Sequence, residues 1–251
     1  MFDKEKIKTN FNRANSSYND HAKLQKTVAK NLFDLAKDDI AKSKNIIDLG
    51  AGTGFLAENI LAEFKDKEIT QLDIAENMLA QNPFPTTKIV ADIENLPFDS
   101  PSFDLAISSL SFQWVNDLEK TIKSVLKILN NNGGLYFSSL GSNTLKELKA
   151  CAKQCDINLS SNDFLSNEEL IKIFNNLGLN FQIKSQIITL YYKDCYELLH
   201  SIKSIGASYN KNNNFLNKTK IESLNNFYLK NFNLNGKISA TWEVIYLSTK
   251  K

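Results

Sequence analysis

Histidine and cysteine are scarce in this chain, with two His and three Cys in 251 residues. An odd number of thiols and no Cys-x-x-Cys pair leave neither a zinc site nor a disulfide framework the ligands it needs. Arginine is nearly absent: 29 of the 30 basic side chains are Lys, and the other is Arg13. Glycine (9) and proline (4) are also few. No apolar run reaches the ~18–20 residues that a membrane helix requires. The opening Met1-Phe2-Asp3-Lys4-Glu5-Lys6 lacks the apolar core of a signal peptide. The expectation is a cytoplasmic domain without a membrane span. A net charge of +2, a pI of about 8.2 and no interleaved aromatic–basic stretch give nucleic-acid binding no support.

Hydrophobic residues make up 42% and charged residues 23%, the proportions of a soluble globular domain, which excludes a disordered chain. The charge is uneven. Residues 191–251 hold nine Lys against four acids, a hint of an acidic partner. A single Arg among lysines suggests a place that needs a rigid, bidentate fork, with chance survival as the alternative.

Phe11, Tyr18, Leu24, Val28, Leu32, Phe33 and Leu35 recur at helical spacing over 3–40, with a break expected at Asn15-Ser16-Ser17. The period then changes. Short apolar runs predict strands at 45–49, 68–73, 87–91 and 103–108, with helices at 54–65, 75–81 and 118–129. The Asn-Asn-Asn-Gly-Gly stretch at 130–134 reads as a turn into a fifth strand at 135–140. Such alternation implies a doubly wound α/β sheet. Helices near 143–156 and 166–177 and strands at 180–191 and 240–249 complete the pattern. Residues 192–235 are helical and rich in Lys and Asn, too long for an ordinary connection, and read as a lid or partner-binding insertion. The expected organisation is one domain: a helical cap over 1–40, an α/β core over 41–191 and 236–251, and the insertion between.

The first strand ends in Asp48-Leu49-Gly50-Ala51-Gly52-Thr53-Gly54 and opens a helix. Glycines there allow a tight turn and close approach of a ligand to backbone N–H groups. Asp73 ends the second strand, about where an acid binds ribose hydroxyls in nucleotide folds, and Asp92 follows the third. A dinucleotide fingerprint wants its third glycine at position 55, which is Phe. Glycines at 50, 52 and 54 behind Asp48 instead resemble the S-adenosylmethionine (SAM) methyltransferase motif. The resemblance implies a Rossmann-like fold with a seven-stranded, mostly parallel sheet, N-terminal helices and a helical insertion before the last strand. It also implies that SAM, leaving as S-adenosylhomocysteine (SAH), is held by Asp48, Gly50, Gly52, Gly54, Asp73, Ile74, Asp92 and Ile93.

Other stretches narrow the acceptor. Residues 11–25 match the pattern F-x-R-A-x-x-x-Y-x-x-H-A-x-x-Q through Phe11, Arg13, Ala14, Tyr18, His21, Ala22 and Gln25, with Asn15-Ser16-Ser17 in place of a more alanine-rich stretch. With Asp92-Ile93-Glu94-Asn95-Leu96-Pro97-Phe98, Ser111-Phe112-Gln113-Trp114, 141–148 and 199–207, they resemble the malonyl-acyl-carrier-protein O-methyltransferase family of biotin biosynthesis, across nearly the whole chain. That resemblance implies methylation of the free carboxylate of a malonyl thioester on acyl carrier protein, or on coenzyme A. A carboxylate is already ionised at pH 7, so no general base is expected. Trp114 then offers an uncharged N–H for one carboxylate oxygen, though ordinary core packing remains open for it. Gln113, Tyr18 and Arg13 are the further candidates for positioning substrate or cofactor. A SAM enzyme acting on another small acid or a quinone, and a respiratory-complex assembly factor of similar fold, are the alternatives. Lys146, Lys149 and Lys153 form one helical stripe, and Lys203, Lys211, Lys218 and Lys220 belong to the basic insertion. Reversing several of these charges is expected to raise the KM for the carrier-protein substrate with a steep salt dependence, leaving SAM affinity intact.

Overall fold

The computed structural model describes residues 1–157, 164–208 and 217–251. Ile46, Ile47, Leu49, Leu105, Ala106 and Ile107 have no polar alternation, so both faces of their strands must be covered, and all are fully buried at the sheet centre. Five strands run parallel: β1 (Asn45–Leu49), β2 (Glu68–Asp73), β3 (Thr87–Val90), β4 (Phe103–Ser109) and β5 (Leu129–Leu140). Antiparallel pairing then places β8 (Lys237–Lys250) between β5 and β6 (Phe181–Tyr192). The order along the sheet is β3-β2-β1-β4-β5-β8-β6. An eighth strand joins the expected seven: β7 (Asn233–Leu234) pairs with β8 across Asn235-Gly236, whose φ values of 53° and 81° suit a two-residue hairpin turn.

One face of the sheet is covered by α2 (Lys23–Lys42), α3 (Phe55–Glu63) and α6 (Lys146–Gln154), and further out by α8 (Cys195–Ser204) and α9 (Lys218–Asn231). The other carries α5 (Leu118–Ile128) and α7 (Asn167–Asn176), whose Ile122, Val125, Leu170 and Phe174 pack with Phe137 and Leu247. A short α4 (Glu76–Gln81) links β2 to β3, and α1 (Lys4–His21) packs against α4 and α8. No described helix is long and apolar enough to cross a membrane.

The structure departs from the pattern reading in three places. Helix α1 runs through Asn15-Ser16-Ser17 and ends at His21, because the Ser17 hydroxyl is satisfied by the carbonyls of Ala14 (3.2 Å) and Ser204 (2.9 Å). Residues 130–134 belong to β5, with a register shift opposite Phe103 and Leu105 absorbing the irregularity. Helix α2, expected in the cap, lies on the sheet and buries Val28, Leu32, Ala36 and Ile40 completely. Helix α1 covers the carboxyl ends of the strands.

Residues 141–148 form a clamp between β5, α6 and β8. Glu243 Oε2 accepts from Asn143 N (2.9 Å) and Nδ2 (3.1 Å), and Glu147 accepts both the N–H (3.0 Å) and the hydroxyl of Thr241. Both carboxylates are buried, and a Cβ at Gly141 would strike Glu243. Glu147→Ala orphans two buried donors on Thr241, which costs roughly 2–4 kcal/mol. The expected result is a melting temperature lower by about 5–15 °C in a thermal scan, with SAM affinity retained in the folded fraction.

Candidate functional site: a glycine-lined cavity at the sheet switch point

β1 pairs with both β2 and β4, so chain order reverses there and a crevice opens at the strands' carboxyl ends. A cavity occupies that crevice. Its floor is the turn after β1. Gly50 has φ 74°, and a Cβ there would run into Ser111, whose hydroxyl bonds to the Gly50 carbonyl at 3.1 Å. Gly52 (φ 54°) faces open space, with only the Met78 methyl 3.7 Å from where a Cβ would stand. Its N–H donates to Asp73 Oδ2 at 2.8 Å, and Ala75 N donates to Asp73 Oδ1 at 2.8 Å. Burial pushes the Asp73 carboxyl up against these backbone donors.

Asp48, 1% exposed, is less well provided for. Gln71 Nε2 reaches its Oδ2 at 3.3 Å, while Oδ1 has no partner. Burial pushes this carboxyl up to about 7, with the Gln71 hydrogen bond opposing and the Asp73 charge adding to the shift. Gln25 lines the same cavity, and its Oε1 is also buried without a donor. Tyr18 stacks on Phe55 with ring centroids 6.1 Å apart. Burial and the Asp73 charge raise its phenol, so it stays a donor at neutral pH.

The far end is closed by the N-terminus. Lys4 Nζ lies 3.3 Å from Asp92 Oδ1, 2.5 Å from Glu94 Oε2 and 3.1 Å from the Trp114 carbonyl. Against its own desolvation, Glu94 is held below the usual carboxylate range by Lys4 and by the backbone N–H groups of Asn116 and Asp117. The Trp114 ring meets the rings of Phe2 and Phe11 edge to face, each at 5.7 Å. The Phe2 carbonyl accepts from Asn116 Nδ2 at 3.3 Å, fixing the start of the chain over this wall.

Of the residues singled out in the sequence, Asp48, Gly50, Gly52, Asp73, Ile74, Asp92, Ile93, Tyr18 and Trp114 line this one cavity. Gly54 (φ 94°) does not; it caps α3, and a Cβ there would collide with the Asn82 carboxamide. Gln113 also lies outside the lining, its Oε1 accepting from Leu140 N at 3.2 Å. Arg13 is exposed on α1, away from the cavity wall. His21 sits against His200 of α8, with ring centroids 5.6 Å apart. Lys146, Lys153, Lys203, Lys218 and Lys220 are exposed, and Lys149 donates to the Ser142 carbonyl at 3.2 Å. Lys211 is outside the described residues, as is most of the Asn-rich loop around it. Among the lining residues that sequence reasoning does not assign are Gln25 and Lys4. Gln25 had a signal, as the last residue of the 11–25 match; Lys4 had none, because its partner Asp92 is 88 residues away. Among the described residues no group of His, Cys, Asp and Glu is placed to hold a metal.

Known proteins resemble this chain in sequence and in fold. A methyltransferase domain model matches residues 47–137. A malonyl-acyl-carrier-protein O-methyltransferase of Acetivibrio thermocellus is 30% identical, with 100% of this chain and 95% of the relative covered. One from Bacillus cereus is 28% identical, covering 100% of this chain and 98% of the relative. Among solved structures, a methyltransferase of Bacillus halodurans matches in fold, with a TM-score of 0.60 at 15% identity over 85% of this chain and 99% of that one. The glycine turn, the acids after β2 and β3 and the N-terminal cover thus occur together in a chain that belongs to the malonyl-acyl-carrier-protein O-methyltransferase family.

Proposed function

We propose that this chain transfers the methyl group of SAM to the free carboxylate of malonyl-acyl carrier protein in the cytoplasm, giving the methyl ester from which the pimeloyl chain of biotin is built. Likeness to named malonyl-acyl-carrier-protein O-methyltransferases over the full length carries the reading. The cavity supports it independently. Asp48 Oδ1 and Gln25 Oε1 are buried acceptors without protein donors, and the ammonium of a methionine moiety brings three N–H donors and a positive charge. The open side of Gly52 and the start of α3 suit the methionine carboxylate, Asp73 the ribose, and Asp92 with Ile93 the adenine.

When bound, SAM supplies an electrophilic methyl group on a positively charged sulfur. The protein's task is positioning. A malonyl carboxylate needs no deprotonation at pH 7, and in-line approach at ~3 Å contributes several kcal/mol. Tyr18, kept protonated, and Trp114 are the donors for the carboxylate that do not compete for its charge. Helix α1 with Phe2, Phe11 and Lys4 excludes water over the cavity, which strengthens the attraction between the two opposite charges. Arg13 and the exposed lysines of α6, α8 and α9 are left to meet an acidic carrier.

The direct test incubates the purified chain with SAM and malonyl-acyl carrier protein and follows the carrier's mass. The expected product is heavier by one methyl in place of a proton, and is absent with acetyl-acyl carrier protein, which has no free carboxylate. No mass change, together with failure to restore growth of a biotin-requiring strain lacking this step, overturns the proposal. The pH dependence has a definite sign. With a carboxyl near 7 in the cofactor-free fold, Asp48 keeps a proton that the unfolded chain loses at about 4. Its favourable contribution is therefore full below pH 4 and is lost as pH rises to 7. A cofactor cation reverses this by favouring the ionised form. SAM binding by calorimetry is expected to weaken by about tenfold or more from pH 7.5 to 5.5, and the gain in melting temperature with SAM to be larger at pH 8 than at pH 6.

A further inference from the structure

We infer that Gln71 is a positioning residue for Asp48: it is the inner link of a directed hydrogen-bond chain that ties down Asp48 Oδ2 and leaves Oδ1 turned to the cofactor's cation. The inference rests on the reading of Asp48 given above. Gln71 is the direct cross-strand partner of Asp48 in the β1–β2 pair, so the two side chains share a face of the sheet. It is fully buried, and Asn82 is 2% exposed. Polar side chains this deep persist only where their hydrogen bonds are made.

The direction of the chain follows from its outer end. The Phe84 backbone N–H can only donate, and it does so to Asn82 Oδ1 at 3.1 Å. Asn82 Nδ2 must then face Gln71, and it donates to Gln71 Oε1 at 2.8 Å. The Thr86 hydroxyl donates to the same oxygen at 2.5 Å. With Oε1 taken twice, Gln71 Nε2 is the atom left for Asp48 Oδ2, at 3.3 Å. Each amide is fixed by the one before it, and accepting two bonds at Oε1 polarises the Nε2 donor. The last bond remains long and neutral. It orients the carboxylate without satisfying it, whereas a cation at position 71 would pair with Asp48 and remove its demand for a ligand.

The same chain explains the third glycine. Gly54 does not line the cavity, but the Asn82 carboxamide lies where a Cβ at residue 54 would stand. The absent side chain thus makes room for a link that reaches the cavity through Gln71 and Asp48.

The experiment measures SAM and SAH dissociation constants by calorimetry between pH 5.5 and 8.5 for wild type, Gln71→Met, Asn82→Ala and Asp48→Asn, with melting temperatures alongside. Gln71→Met keeps the bulk and removes the donor, so the low-pH weakening of binding is expected to move up by about one pH unit, raising the dissociation constant five- to tenfold near pH 7 and much less at pH 8.5. Asn82→Ala leaves Gln71 in place but frees its amide, and is expected to move the profile in the same direction by a smaller amount. It decides the matter if Gln71→Met does not fold. A pH profile unchanged in Gln71→Met, or in Asn82→Ala where that variant decides, overturns the inference. Asp48→Asn separates the two levels: a profile flattened there but unmoved by Gln71→Met sinks the positioning role alone. A wild-type profile in Asp48→Asn sinks the reading of Asp48 itself.

Discussion

A carboxylate taken out of water needs donors on both oxygens or gives up its charge. At the end of β1 the fold gives Asp48 one long bond from a neutral amide and nothing on the other oxygen, and its carboxyl rises toward neutral pH as a result. The neighbouring acid differs in its donors: Asp73, one strand over, has backbone N–H groups on both oxygens, which oppose the rise that burial imposes on it. Gln25 adds a second bare acceptor to the lining of the same cavity. This part of the cavity therefore suits a cation that brings its own N–H groups, as the proposed binding of the methionine ammonium requires.

What the sequence made legible was local. Strands without alternation announced a doubly wound sheet, and glycines at a strand-to-helix corner located the cavity to within a few residues. The acids after β2 and β3 were found because such folds place ligands at the carboxyl ends of successive strands. The illegible part depends on distant contacts. Lys4 meets Asp92 and Glu94 only after the sheet has formed, and nothing in its neighbourhood sets it apart from the other lysines. Gln113 and Trp114 are adjacent, but the 3-10 turn at 112–114 sends one to a backbone N–H of β5 and the other to the cavity. Gly54 is assigned to the cofactor by the resemblance, yet it lies outside the cavity lining, and its missing side chain leaves room for the Asn82 carboxamide.

Family motifs mix architecture with chemistry, and the structure separates them. The stretch at 141–148 contributed to the resemblance as much as the glycine turn did, yet its polar groups are bound to one another. Thr144 exchanges hydrogen bonds with the Glu243 backbone, Asn143 holds the Glu243 carboxylate, and Glu147 holds Thr241. These bonds lock β8 to the loop after β5, beside the wall formed by residues 109–111. Glu147, with donors on both oxygens, holds a scaffold, whereas a buried carboxylate left short of donors marks a place for a ligand.

Helix α1 connects the cavity with the insertion. Its Lys4, Ile7, Phe11 and Tyr18 line the cavity. Along another face, Asn10 donates to the Ser208 carbonyl (3.3 Å), Ser17 to that of Ser204 (2.9 Å), and Phe11 packs so closely on Gly206 that a Cβ there would sit 2.9 Å from its Cα. Phe11 touches the Trp114 ring on one side and Gly206 on the other, so the helix cannot lift from the cavity without losing its seat on α8. The helix that covers the cavity is thereby tied to the end of α8.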